Sequence, residues 1–188
     1  ARPFAKGNTM DKIDSIDELL IHELKDLDSA EAQLVEALPA MAAAATAPEL
    51  RQGFEQHLEQ TRAHMQRIEQ VLTMLDEQTD NTVCAGMQGL IEEGESIIRS
   101  VERGAVLDGA LIDAGRKVEH YEIAAYRGAM SKAHELGHTE IAERLQANLQ
   151  EEELADHKLQ TLAQSMMPYS GPGADPRDDG SEVIVGSR

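Results

Sequence analysis

The sequence is poor in the residues that build β-sheets. It has no Trp, only three Tyr and two Phe, so aromatic side chains make up 3% of its 188 residues. Much of its apolar content is Ala, Leu, Ile and Met, which favour helices over pleated sheets. The composition therefore argues against an all-β fold and predicts a helical chain, long enough for one domain with its own core.

Other absences concern location and partners. The single cysteine, Cys84, cannot form an internal disulfide, which favours a reducing compartment. No run of about 18 apolar residues indicates a membrane span, and the first residues lack the apolar segment of a secretory signal. With 17 basic and 35 acidic residues, the net charge of −18 disfavours binding to nucleic acid or anionic lipid. We therefore expect a cytoplasmic protein that binds neither nucleic acid nor membranes.

Four long segments have the apolar spacing of helices with one buried face. We expect these helices to span about 15–46, 48–75, 108–137 and 139–166. The first begins with a capping box at Ser15 and contains Pro39, where it can kink. Thr139 is expected to cap the last helix.

The connections between these segments predict the topology. The first two helices, and the last two, are joined by short turns that make them antiparallel neighbours. More than thirty residues join the two pairs, and residues 84–101 have helical spacing of their own. We predict an all-α fold, a ferritin-like antiparallel four-helix bundle over residues 15–167 with a short fifth helix in the crossover. An N-terminal extension (1–14) precedes it and a flexible C-terminal tail (168–188) follows.

Each predicted helix has an ionisable side chain where its buried series calls for an apolar one. Counted from the two short turns at 1.5 Å per residue, the central ones lie in one layer, about 6 Å thick along the bundle axis. The two halves also pair as pseudo-repeats, since Glu31 matches Glu122 and Thr61 matches Glu152. The candidate metal ligands are Glu31, His64, Glu119, Glu122, Glu152 and Asp156.

Such a layer must be neutralised, because each unpaired buried ion costs several kcal/mol. No Lys or Arg lies on the inward series, which leaves protons or metal ions. Carboxylates with imidazole suit iron or manganese, and two ions bridged by Glu are a known use of this layer in helical bundles. The alternative is a hydrogen-bonded network of protonated carboxyls that only fixes the packing of the helices.

Several segments resemble one bacterial family. They are 26–31 (DLDSAE), 57–61 (HLEQT) with His64, 119–126 (EHYEIAAY), and 151–152 (EE) with Asp156. The sequence resembles the YciF-like (YciE/YciF) family of ferritin-like stress proteins over about residues 14–166. The resemblance implies a ferritin-like bundle that is often dimeric, with a di-metal site and a role in stress, but no defined reaction.

The sequence departs from the wider di-iron pattern at two positions. Thr61 occupies the place of a Glu in the second helix, and Ala155 the place of a His in the fourth. Asp156 can substitute for that His after a small rotation, whereas Thr61 is a poor ligand. The site is therefore asymmetric, weak, specific for manganese or vestigial. We interpret His57, about two turns from the layer, as a core or supporting histidine and not as a ligand.

Two functions remain open. The first is a stress-response protein whose di-iron or di-manganese centre reacts with oxygen or peroxide. The second is a non-enzymatic, dimeric helical stress protein with a vestigial polar layer, which acts by association with other proteins. Stoichiometric metal would distinguish them, since only the first requires it.

The end of the chain has a separate prediction. An apolar trio followed by Gly-Ser is able to dock in a groove or add a strand to a partner. It loosely resembles the cargo-loading peptides of encapsulin-type shells, and a disordered tail is the alternative. The trio consists of Val183, Ile184 and Val185.

Overall fold

A computed structural model describes residues 12–166, which form five helices and no strand. The helices are α1 (Ile16–Ala44), α2 (Pro48–Met74), α3 (Ala85–Ser100), α4 (Ala105–Glu135) and α5 (Thr139–Met166). The predicted all-α fold is confirmed. Within the described range, no helix is long and apolar enough to cross a membrane. The predicted tail (168–188), with its apolar trio, and residues 1–11 of the predicted extension lie outside the described residues.

The four long helices form a bundle, and the fifth, α3, lies in the crossover. Helix α1 packs against α2 and α4, and α5 packs against α4 and α2. Helix α3 lies against α1 and α4. The helices of each pair are therefore antiparallel neighbours, and α3 covers one side of the bundle.

The helix ends follow their local sequence. The Ser15 hydroxyl accepts a hydrogen bond from the N–H of Glu18 at 3.2 Å, as the capping box predicts. Helix α4 ends at a glycine with positive φ, Gly137, where the N–H of His138 donates to the Ala133 carbonyl at 2.8 Å. This tight turn brings the His138 carbonyl into helical register, so Thr139 is the first residue of α5 and not its cap.

The start of α4 corrects a second boundary. The helix begins at Ala105, three residues before the predicted start at Asp108. Asp108 is 2% exposed, and its carboxylate accepts hydrogen bonds from the N–H groups of Thr46 at 2.7 Å and Ala47 at 3.0 Å, as well as from the Thr46 hydroxyl. Asp108 therefore joins the start of α4 to the α1–α2 turn.

Replacing Asp108 with Ala should destabilise the fold strongly. Three donors lose their acceptor, and an unsatisfied buried group costs about 1–3 kcal/mol. We expect the free energy of unfolding to fall by about 3 kcal/mol and the Tm by roughly 6–12 °C in thermal unfolding followed by circular dichroism. The matched control is Asp113→Ala on an exposed position of the same helix. Equal Tm values for the two variants would contradict this role of Asp108.

The core consists of two apolar clusters with a polar layer between them. One contains Leu34, Phe54, Val118 and Leu159, and the other contains Leu27, Ile68, Ile123 and Leu149. On every long helix, one cluster lies on the N-terminal side of the polar residues and the other on the C-terminal side. The clusters therefore close the polar layer off from both ends of the bundle.

Candidate metal centre

Five of the six predicted ligands lie together in the polar layer. Four of them are fully buried at 0% exposure, and Glu119 is 3% exposed. The fully buried ones are Glu31 on α1, His64 on α2, Glu122 on α4 and Glu152 on α5. All four long helices therefore contribute to the layer.

Two overlapping groups of metal-ligating atoms form within this layer. In the first, Nδ1 of His64 lies 2.8 Å from Oε1 of Glu152 and 3.3 Å from Oε1 of Glu31. In the second, Nε2 of His57 lies 3.4 Å from Oε1 of Glu119 and 3.6 Å from Oε2 of Glu152, and Glu122 completes the group. The ligand atoms of each group lie within 4.8 Å of one another. Glu152 belongs to both groups, with one oxygen toward each histidine.

Many polar atoms of the layer lack a hydrogen bond. Within residues 12–166 they include both oxygens of Glu122 and Glu152, one oxygen each of Glu31 and Glu119, both nitrogens of His57 and Nδ1 of His64. An unsatisfied buried group costs about 1–3 kcal/mol. So many in one layer are compatible with metal binding, since a metal ion would bind oxygen and imidazole nitrogen atoms of this kind.

His57 lies in the layer, contrary to the expectation that it sits two turns away. The contact of Asp108 with Thr46 puts the start of α4 at the same end as the α1–α2 turn. Counted from that end, His57 is ten residues past Ala47 and Glu119 is eleven past Asp108, so the two lie level. In the sequence, positions on α2 are counted from the first short turn and positions on α4 from the second. These turns lie at opposite ends of the bundle, so the count does not show that His57 and Glu119 lie at the same height.

Asp156 lies outside both groups. Its Oδ1 accepts a hydrogen bond from Nε of Arg116 at 2.7 Å, and Nε2 of His120 is 3.6 Å away. Its side chain is 16% exposed. Position 156 is four residues after Glu152, which turns it about 40° further round the helix, toward α4. Thr61 is buried in the layer, and its hydroxyl donates to the carbonyl of His57 at 3.0 Å.

Sequence reasoning identified Tyr126 as a residue able to orient a ligand, with a core tyrosine as the alternative, but it missed Glu151, Arg67 and Asn148, which contact His64, Tyr126 or each other from outside the inward series. Nε2 of His64 lies 2.9 Å from Oε2 of Glu151, and the Tyr126 hydroxyl donates to Oε1 of Glu31. Arg67 and Asn148 connect these two contacts. The only signal in the sequence is spacing, since Arg67 follows His64 by three residues and Glu151 precedes Glu152.

Without metal, protons neutralise most of the layer. Burial, with the nearby charge of Glu152, raises the pKa of Glu119 and of Glu122 well above the ordinary value. Burial also raises the pKa of Glu31 to about 7, although His64 opposes this rise. Burial in the layer thus favours the protonated forms of these three carboxyls.

The two histidines differ. Burial acts to lower the pKa of His64, but its close contacts with the charged carboxylates of Glu152 and Glu31 outweigh burial and raise this pKa to about 10. Burial lowers the pKa of His57. Burial acts to raise the pKa of Glu152, but the close positive charge of His64 outweighs it and lowers this pKa to about 2. In the metal-free protein, a proton on Nδ1 of His64 therefore lies between the carboxylates of Glu31 and Glu152.

A family model described as "Domain of unknown function (DUF892)" matches residues 15–169. The chain belongs to the DUF892 family. Protein YciF of Escherichia coli K12 is 42% identical to this DUF892 chain over 150 residues, which are 79% of this chain and 90% of YciF. The predicted resemblance to YciF-like proteins is therefore confirmed.

Solved structures agree with this assignment. The crystal structure of the E. coli stress protein YciF is 41% identical, with a TM-score of 0.80, and the match covers 82% of the DUF892 chain and 98% of that one. YcfI from Rhodopseudomonas palustris is 38% identical, with a TM-score of 0.77 over the same shares. A dodecameric thioferritin, the bacterioferritin-related protein of Bacteroides fragilis, is 18% identical, with a TM-score of 0.64 over 80% and 87% of the two chains. This last likeness shows the fold, which is ferritin-like as predicted.

Proposed function

We propose that this DUF892 protein is a ferritin-like stress protein that holds two iron or manganese ions in its polar layer and reacts with oxygen or peroxide. The observation that carries the proposal is Glu152, whose two unsatisfied oxygens face two separate ligand groups. One carboxylate shared by two groups is the arrangement that bridges a pair of ions in helical bundles.

The charges of the layer fit two divalent ions. Four ionised carboxylates carry four negative charges, which two divalent cations balance when both histidines are neutral. The four are Glu31, Glu119, Glu122 and Glu152. Carboxylate oxygens with one imidazole per group suit iron and manganese, whereas no thiolate takes part in either group.

Each residue of the layer has its own role in the proposed site. Glu31 and His64 hold one ion, His57, Glu119 and Glu122 hold the other, and Glu152 bridges them. When bound, the pair supplies the redox chemistry toward oxygen or peroxide. The two apolar clusters limit the access of bulk water to the ions.

Metal loading tests this function. After anaerobic loading with Fe²⁺ and gel filtration, we expect about two iron ions per chain and consumption of added peroxide. Glu122→Gln keeps the shape of the side chain and removes its charge, so it should lose at least one ion and slow peroxide consumption at least tenfold. Its control is Glu135→Gln, exposed on the same helix. A wild-type chain without iron, or with iron inert to both peroxide and oxygen, would refute the proposal.

The second candidate is a stress protein whose polar layer only fixes packing. The observation in its favour is that an imidazolium at His64 partly neutralises Glu31 and Glu152 without metal. This candidate predicts the same Tm with and without a chelator. The first predicts a lower Tm after chelation, since an ion that binds only the native state stabilises it.

The localisation, the oligomeric state and the partner of the C-terminal residues are also proposals. We expect a cytoplasmic homodimer, which cell fractionation and sedimentation equilibrium test. Docking of residues 183–185 to a partner or an encapsulin-type shell is tested by deleting residues 179–188 and measuring whether the shell still co-purifies.

A further inference from the structure

A chain of five hydrogen bonds links His64 to Glu31 on the side away from the layer. We call it the ring, because its two ends meet where Nδ1 of His64 lies 3.3 Å from Oε1 of Glu31. Arg67 donates to Oδ1 of Asn148 at 2.7 Å and to Oε1 of Glu151 at 2.9 Å. From Glu151 the ring runs to His64, whose Nε2 lies 2.9 Å from Oε2. From Asn148 it runs through Nδ2 to the Tyr126 hydroxyl at 2.9 Å, which in turn donates to Glu31.

The guanidinium of Arg67 sets the direction of the bonds that run through Asn148, because it can only donate. It holds Oδ1 of Asn148, so the amide turns its Nδ2 donor toward the Tyr126 hydroxyl. Since that hydroxyl accepts from Asn148, its own hydrogen is left for Oε1 of Glu31. On the other branch, the Glu151 carboxylate only accepts, so Nε2 of His64 must carry a hydrogen.

Both branches end on a ligand of the first group and leave its other polar atom buried without a hydrogen bond. With Nε2 of His64 donating to Glu151, Nδ1 lies toward Glu31 and Glu152. With Oε1 of Glu31 accepting from Tyr126, Oε2 is the buried oxygen without a hydrogen bond. Within residues 12–166, no hydrogen bond joins the side chain of His57, Glu119 or Glu122 to the ring, although the imidazole of His57 packs edge-on against that of His64, with ring centroids 6.5 Å apart.

We propose that Arg67 is a positioning residue for one metal position only: through Glu151 and Asn148 it fixes the nitrogen of His64 and the oxygen of Glu31 that face the ion. The inference rests on the proposed function. Arg67 is part-exposed, with 29% of its side chain accessible. It thus acts on the buried group from the open groove between α2 and α5.

The test replaces Arg67 with Met, which keeps much of the length and removes every donor. Zn²⁺ titration calorimetry on the full chain should show one of two ions bound 10–100-fold more weakly, the usual effect of losing such an outer partner. The other ion should bind as in the wild type. Arg67→Lys should not restore affinity, because an ammonium cannot reproduce the two-pronged geometry. The control is Arg144→Met in the same groove, since Arg144 bonds Gln70 and Glu140 outside the ring.

Nitrogen-15 NMR of the imidazoles reports the hydrogen bond of Nε2 separately from metal affinity, and Arg144→Met controls for a general loss of stability. In the Zn²⁺-loaded wild type, we expect His64 to carry its hydrogen on Nε2 and the metal on Nδ1. In Arg67→Met, the Nε2–H signal should exchange faster with solvent in both metal-free and loaded protein. Unchanged affinity with an unchanged signal would overturn the proposal, and so would wild-type affinity in Arg67→Lys.

The failure of the proposed function would be distinguishable from the failure of this inference. If wild-type protein bound no Zn²⁺, Fe²⁺ or Mn²⁺, the di-metal function would fall. The metal-free NMR spectra would still decide whether Arg67 holds the Nε2–H of His64 on Glu151. A His64 signal that is protected in the wild type and in Arg144→Met, but lost in Arg67→Met, supports the ring.

Discussion

Glu152→Gln is expected to abolish tight binding of both metal ions, whereas Glu31→Gln should lose only one. The reason is position, since Glu152 faces His64 with one oxygen and His57 with the other, while Glu31 belongs to a single group. We expect each ion to bind more than about 100-fold more weakly in Glu152→Gln, because losing a direct ligand costs more than losing an outer partner. Mn²⁺ titration calorimetry followed by metal analysis of the purified protein gives both the affinity and the count.

The neighbouring glutamate provides the control for this prediction. Glu153→Gln removes the same charge one residue away, where the side chain is 43% exposed and pairs with Arg127. It should bind two ions as the wild type does. If Glu152→Gln kept one ion with unchanged affinity, Glu152 would not be a bridge.

The combined affinity for two ions should rise steeply with pH. In the metal-free protein the raised pKa values of Glu119, Glu122 and His64 favour a proton on each of these groups, which the metal ions have to displace. Binding displaces about three protons, so the combined constant changes by up to about three orders of magnitude per pH unit. The sign is fixed, because lowering the pH favours the protonated ligands over the metal. Calorimetry at pH 7 in buffers of different ionisation enthalpy counts the protons directly. Release of fewer than one proton per chain would contradict this account.

The same protons link the stability of the metal-free protein to pH. The raised pKa values of Glu119 and Glu122 add stability that is fully present below their unfolded value of about 4.5 and is lost as the pH rises through the folded values. For His64 the loss runs from about 6.5 to about 10. Metal-free protein should therefore lose stability toward alkaline pH, and bound metal should restore most of it there.

The fold could be predicted from the sequence because each long helix has a regular apolar series and short turns fix the neighbours. The same regularity exposed the candidate site, since Glu31, His64, Glu122 and Glu152 stand where apolar residues are expected. A polar residue inside an apolar series is a strong signal because burying it is costly. These four candidate ligands could therefore be predicted from the sequence.

The rest depended on geometry that a linear pattern does not contain. His57 and Glu119 lie at the same height because α2 and α4 begin at the same end of the bundle. This arrangement follows from the contact of Asp108 with Thr46, which the sequence pattern does not contain. Asp156 lies on the predicted inward series four residues after Glu152, but Arg116 holds its carboxylate beside the layer. Arg67 lies outside the inward series, so no apolar pattern could connect it with His64.

Anomalous X-ray diffraction from crystals of the full chain soaked in Mn²⁺ would locate the two ions that we propose Glu152 bridges. We expect two anomalous peaks in the polar layer, about 3.5–4 Å apart, as in other two-metal sites. One peak should lie by His64 and Glu31, the other by His57 and Glu119, with an oxygen of Glu152 at each. A layer without peaks, or a single peak that Glu152 does not touch, would contradict this proposal.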